Sequence, residues 1–315
     1  MFVSRYLGWL AASLAATSDV PAPRRHRRAV MGFATGYPAA ALEPFVRSLR
    51  DRFDGEIILA VDDDPDVRAF LDAFQVTAVT PVQPPEWSPH PVMERFAAYD
   101  AWIRSRPWLT QVLLTDVRDV IFQGDPFARP AGELEVYVER EGDTLAEHAF
   151  NRKHITALVG PELAARLMDR PCLCVGTVLG PAAEAARLCR TMLMLAAVPR
   201  SDVGGAFGAD QAACNIAVHL GLVPARIQPN YGRVATIGED DGAGLIWRDD
   251  GVIINPDGGV SPIVHQYDRH PHLADGVRLR WGRAEHCVVE ARKKTFSDRR
   301  KRLAISVQRR LPELR

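Results

Sequence analysis

From Ala29 onward, short apolar runs alternate with stretches whose apolar residues recur every three or four positions. Residues 29–35 (AVMGFAT) read as a strand that stops at Gly36. Leu42, Phe45, Val46 and Leu49 then mark a helix over 42–53. Residues 56–61 (EIILAV) read as a second strand that runs into Asp62, Asp63 and Asp64. Pro65 opens a helix whose apolar face is Val67, Phe70, Leu71 and Phe74. A third strand at 76–79, a proline-rich loop at 81–91, a helix over 92–103 and a fourth strand at 111–114 complete the first half. Strands separated by helices of this length predict a parallel, buried sheet. Such sheets bind ligands beyond the carboxyl ends of their strands. Thr35, Gly36, Tyr37, Asp62 and residues 115–119 are therefore the first places to look.

The second half is less regular. It predicts a strand over 133–138, a helix over 163–168, an apolar strand over 172–179 (CLCVGTVL), and helices over 182–195 and 211–220. The stretch 238–259, rich in Gly and Asp, reads as loops and turns. At the other end, Phe2, Val3, Tyr6, Leu7, Leu10 and Leu14 fall at helical spacing, which predicts an amphipathic packing helix. The apolar run 6–16 also fits the short core of a cleaved signal peptide. No apolar run approaches the ~20 residues that span a bilayer. The expected architecture is one α/β domain over 29–290, with a central, mostly parallel, Rossmann-like sheet flanked by helices and an irregular C-terminal half. A helix and basic linker (1–28) precede it and a basic tail (291–315) follows.

Composition changes this picture only through charge. The 315 residues are 47% hydrophobic and 25% charged, which excludes a disordered, collagen-like or coiled-coil chain. The formal net charge is zero, yet the tail holds ten basic residues (Arg292, Lys293, Lys294, Arg299, Arg300, Lys301, Arg302, Arg309, Arg310, Arg315) against Asp298 and Glu313. The tail nets +8, so the remainder nets −8. Phe296, Leu303, Ile305, Val307 and Leu311 are interspersed among those charges. The tail fits either a segment that docks on an anionic membrane surface or a solvated tail. It lacks the interleaved aromatics of a nucleic-acid binder, so no nucleic-acid partner is expected. The five cysteines (172, 174, 189, 214, 287) have no CxxC spacing and read as reduced core residues. That reading implies a cytoplasmic protein, peripheral on the inner face of the membrane if the tail docks there.

The strongest chemical feature is LLTDVRDVIFQGDPF, residues 113–127. An apolar strand delivers Asp116 and Asp119 with Arg118 between them. Two carboxylates at a strand end suit a hard divalent cation, Mg²⁺ or Mn²⁺, which takes oxygen ligands. The plain alternative is that Asp116 caps a turn and Asp119 pairs with Arg118. Arg95, on the helix before this strand, fits either a phosphate partner or an ordinary surface ion pair. Asp62 fits either a base or ribose contact or a simple strand end. Asp210 on its own would be a helix N-cap, since Gln211 begins an apolar helix.

Several segments resemble, in order, those of retaining GT-A fold glycosyltransferases of the family 8-like and family 77-like kind. Asp119-Val120-Ile121-Phe122 and Asp125-Pro126-Phe127 match the string that follows a strand in the DxD region. Asp119 takes the place of the motif's second Asp, whereas Val117 holds the first place and Asp116 stands one residue earlier. Residues 174–180 resemble the strand that borders the donor sugar, with Val175 where Ser is usual and with Gly176 and Thr177 following. Residues 208–215 resemble the "DQ…N" helix start, and residues 263–268 resemble the late segment whose His completes metal coordination.

The resemblance implies a GT-A fold and transfer of a sugar, with retention, from a nucleotide-diphosphate sugar to a glycan or glycolipid. A UDP-sugar is the favoured donor. It implies Asp119, His265 and Asp116 as ligands of Mn²⁺ or Mg²⁺, with Asp116 alternatively on sugar or ribose. Asp210 and Gln211 would face the transferred sugar. Thr35, Gly36, Tyr37, Asp62, Arg95, Asp116, Arg118, Gly176 and Thr177 would form the donor site. Two rival readings remain open. A haloacid-dehalogenase-like Mg²⁺ phosphatase would use Asp116 and the acidic stretch 238–241. A non-catalytic module of the same fold would dock on membranes through the tail.

Overall fold

The computed structural model describes residues 2–16, 26–81, 88–197 and 207–282. The basic tail, Cys287, Gly204, Gly205 and most of the proline-rich loop lie outside the described residues. In chain order the first elements are helix α1 (Phe2–Ala15), strand β1 (Arg28–Phe33), α2 (Ala39–Arg50), β2 (Glu56–Ala60), α3 (Pro65–Ala73), β3 (Thr77–Val79), α4 (Pro91–Arg104), β4 (Gln111–Thr115), β5 (Val120–Phe122) and β6 (Glu135–Val138). Then come α5 (Ala149–Val159), α6 (Pro161–Ala165), β7 (Leu173–Pro181), α7 (Ala182–Ala196) and α8 (Ala209–His219). The chain continues through β8 (Arg226–Gln228), β9 (Val234–Thr236), β10 (Ile246–Trp247), β11 (Ile253–Ile254), β12 (Ile263–His265) and α9 (Pro271–Trp281).

The central sheet has seven strands in the order β3-β2-β1-β4-β7-β6-β8. β3, β2, β1 and β4 run parallel, β7 is antiparallel to both of its neighbours, and β8 is parallel to β6. Both faces are covered by helices, and the strand sequences show why. Met31, Ile58 and Leu114 enter one apolar cluster with Trp9, Phe96, Leu188 and Ile216. Their neighbours Val30, Ile57, Leu59 and Leu113 enter the opposite cluster with Leu42, Phe45 and Leu71. Side chains alternate across a strand, so a sheet buried on both faces needs uninterrupted apolar runs. The expected α/β class with a mostly parallel, helix-flanked sheet is what the chain forms.

A second sheet, β5-β12-β9, stands against the first and carries its own small core of Ile121, Ala235, Val264 and Leu273. α1 packs into the molecule: Tyr6, Trp9 and Leu10 are buried, and the Tyr6 hydroxyl donates to the Leu193 carbonyl at 3.0 Å. No helix among the described residues is long and apolar enough to cross a membrane.

Three expectations need correction. Residues 149–159 form a helix that periodicity did not reveal, while the helix expected over 163–168 is the short α6 at 161–165. Gly160 separates these two helices with φ of +81°, a conformation open to glycine. The stretch 238–259 is not all loop, because β10 and β11 pair within it. Asp210 is not the N-cap of α8; Gly208, at φ of +90°, holds that place, and the Asp210 carboxylate turns to Arg95 instead.

Candidate active site

Three separate pieces of chain build one site at the carboxyl ends of the sheet. β4 ends at Thr115, and the Asp116 N–H donates to the Gly176 carbonyl of β7 at 2.7 Å. This bond seats Asp116 beside the reversed strand. β12 pairs with β5 so that His265 lies opposite Val120, the residue after Asp119. The Gln266 N–H then donates to the Asp119 carbonyl at 2.7 Å. Gln266 itself adopts φ of +65°, a left-handed backbone that a non-glycine residue holds only under tertiary constraint.

The result is a tight triad. His265 Nε2 lies 3.4 Å from Asp116 Oδ2 and 3.9 Å from Asp119 Oδ1. One ligand atom from each of the three side chains lies within 4.8 Å of the others. His265 is fully buried, and its Nε2 makes no hydrogen bond. On the far side of the ring, Nδ1 is 3.6 Å from the buried Cys174 Sγ. Gly176 completes the cradle. A Cβ there would collide with the imidazole and come within 2.7 Å of Asp116 Oδ2.

The electrostatics are those of crowded carboxylates. Burial raises the pKa of Asp119 above the usual carboxylate range, and the neighbouring Asp116 raises it further. Burial acts in the same direction on Asp116, but Arg95 first and His265 second hold it well below that range. Burial alone would lower the pKa of His265; contact with Cys174 and the two carboxylates instead holds it well above its ordinary value. A protonated His265 would supply positive charge to two carboxylates. A divalent cation at the same point would displace that proton, because a metal ligand must be unprotonated. Two carboxylate oxygens and the buried Nε2, which makes no hydrogen bond, fit a hard or borderline divalent ion.

Arg95 is not a surface residue. It is buried on α4, its guanidinium contacts Asp116 Oδ1, and its other terminal nitrogen donates to Asp210 Oδ2 at 2.8 Å. Asp210 is buried too, and burial raises its pKa despite Arg95. Gln211 Nε2 donates to Glu139 Oε2 at 2.6 Å, and Glu139 also accepts from the Cys172 thiol at 3.3 Å. Asn215 pins this helix to β7 through both the N–H and the carbonyl of Leu173, each at 3.0 Å.

These groups line a cavity of about 750 Å³, a volume suited to a small-molecule ligand. Thr35, Tyr37, Arg95, Asp116, Arg118, Asp119, Gly176, Asp210, Gln211 and His265 all border it. Gly36, Asp62 and Thr177 do not. The Asp62 carboxylate accepts the Gly36 N–H at 2.6 Å, so it shapes the turn that presents Tyr37. Thr177 is fully buried inside β7. Glu139, His148, Phe150, Phe207 and Arg269 also border the cavity, and none of these was singled out from sequence; Glu239, from the acidic stretch 238–241, borders it too. Glu139 follows the strand expected at 133–138, so the strand-end rule was sufficient to find it. No motif marks the two phenylalanines. No protein-family model matches the chain, and no curated protein matches it.

Proposed function

We propose that the chain is a metal-dependent GT-A-fold glycosyltransferase, a hexosyltransferase that moves a sugar from a nucleotide-diphosphate sugar to a glycan or glycolipid. A UDP-sugar is the favoured donor and the configuration is retained. One observation carries this reading: Asp116, Asp119 and His265, from three separate strand ends, converge on one point in the cavity floor. The mostly parallel sheet and its reversed strand β7, with Gly176 against the triad, agree with the resemblance of the surrounding segments.

Asp116, Asp119 and His265 would hold Mn²⁺ or Mg²⁺, which when bound neutralises the departing diphosphate. Arg118 and Arg269 border the same cavity, held in ion pairs with Asp268 and Glu239. Tyr37, half-exposed after β1, offers a ring to the base. Arg95 fixes the Asp210 carboxylate, whose charge would favour positive charge developing on the transferred sugar. Glu139 orients Gln211 as a hydrogen-bond partner for sugar hydroxyls. In this reading the tail, residues 291–315, meets an anionic membrane surface where the acceptor lies.

Of the second acidic stretch that the phosphatase reading needs, only Glu239 borders the cavity. Asp240 accepts from the Tyr231 hydroxyl, Asp241 accepts from the Ala243 N–H, and Glu239 pairs with Arg269. The test of our reading is UDP-, GDP- and CMP-sugar turnover with Mn²⁺. EDTA should abolish turnover, and Asp119→Ala should do the same with an unchanged circular dichroism spectrum. Turnover that survives both removes the metal from the mechanism. Turnover of a phosphate ester alone replaces the reading.

A further inference from the structure

We infer that an aromatic rim of Phe150, Phe207 and His90 is the acceptor subsite, and that it takes a pyranose ring by its C–H face. The inference rests on the transfer reading above and names where its second substrate sits. Phe150 and Phe207 are 48% and 58% exposed, yet both border the cavity. Their ring centroids are 5.9 Å apart, and Phe207 meets the His90 ring edge-on at 5.6 Å. On the other side, Phe150 lies 4.3 Å from the His154 ring. Single exposed apolar side chains are ordinary, but a contiguous aromatic strip at a cavity mouth marks a binding surface.

Its place in the fold separates it from the nucleoside end. Tyr37 follows β1, whereas Phe150 opens the helix that follows β6. β4 and β7 lie between those two strands, so the two ends are about 14 Å apart at the usual strand spacing. Phe207 stands just before Asp210 and Gln211, the groups we place against the transferred sugar. Gly208 permits this approach: a Cβ there would fall within 2.6 Å of the Phe150 ring. The ring chemistry selects the occupant. A phenyl face is electron-rich and attracts the polarised C–H groups of a sugar ring. The His90 ring borders the cavity beside Phe207 and gives the rim a polar edge that suits the hydroxyls around such a ring, whereas an acyl chain has no use for it; His154 backs Phe150 from the buried side, its Nδ1 2.8 Å from the Phe150 carbonyl.

The probes are methyl glucoside, methyl galactoside and methyl mannoside, presented to the full-length protein with UDP and Mn²⁺. Saturation-transfer NMR should show at least one of them bound through its ring C–H groups. Phe150→Ala and Phe207→Ala should each weaken that binding about tenfold, or about 1.4 kcal/mol. Phe207→Trp should retain it. UDP–Mn²⁺ affinity, measured by calorimetry, should not change in any variant. The proposal is overturned if no methyl glycoside binds the parent protein, if both alanine variants bind as the parent does, or if octanoate displaces the sugar and itself needs both rings. Sugar binding at the rim without any UDP–Mn²⁺ binding keeps the subsite and removes the transfer reading. UDP–Mn²⁺ binding without sugar binding does the reverse.

Discussion

Gly176 carries the strictest steric demand at the site. It lies in a strand paired on both sides, and the imidazole it faces is fully buried and cannot swing away. Gly176→Ala should therefore abolish Mn²⁺ binding in a calorimetric titration and cost about 1–3 kcal/mol in urea unfolding, the usual penalty for overpacking. Arg95 makes the opposite kind of demand, since it is the buried cation that faces the buried carboxylate of Asp210 and opposes the rise that burial gives its pKa. Arg95→Met should destabilise the protein by about 3 kcal/mol, because a buried carboxylate loses its partner. Arg95→Met combined with Asp210→Asn should recover part of that loss, and urea midpoints of the two variants check it. A double variant no more stable than Arg95→Met alone would mean that Asp210 is not the uncompensated charge.

At the scale of elements, α1 behaves as part of the core. Tyr6→Phe should cost about 1 kcal/mol by leaving the Leu193 carbonyl without its donor, a loss readable in thermal melts. Amphipathic spacing made this helix legible, just as continuous apolar runs made β1, β2, β4 and β7 legible. α5 was not legible. Its sequence AFNRKHITALV has a weak stripe, and His148 gives its start no side-chain cap. β5 and β9 were missed for another reason. Each has only three residues, and each is a strand because it pairs with β12 from far along the chain. The site followed the same division. Asp116, Asp119 and His265 could each be named from a strand end, but their meeting depends on the β5–β12 register, and no local pattern encodes it. The aromatic rim had no signal at all, because exposed phenylalanines leave no periodicity.

For the whole molecule, burial of ionisable groups sets the pH response. Burial raises the thiols of Cys172, Cys174 and Cys189, and pushes Cys214 up to about 12. An unfolded thiol ionises near pH 8.5, so the native state holds these protons more tightly than the unfolded chain does. That contribution to stability is complete below about pH 8.5 and is lost as pH rises toward the folded values. Urea midpoints should fall between pH 8 and 10, and Cys214→Ala should fall less steeply than the parent. Ellman's reagent at pH 8 should leave these four thiols unreacted until denaturant is added.

His265 enters the chain 149 positions after Asp116, and the strand that presents it pairs across nearly the same interval. During synthesis the seven strands of the large sheet, β1 to β4 and β6 to β8, are made while the proposed ligand set still lacks its imidazole. At translation speeds of about 5–20 residues per second, those 149 positions take roughly seven to thirty seconds. A ribosome-bound chain thus spends its early life with the two aspartates facing Arg95 and Arg118 but not yet His265. A chain stalled before residue 265 should not be protected from proteolysis by added Mn²⁺, and one released beyond it should be. The proposed cation site is in this sense available only to a molecule in which β12, the last strand among the described residues, has found its place.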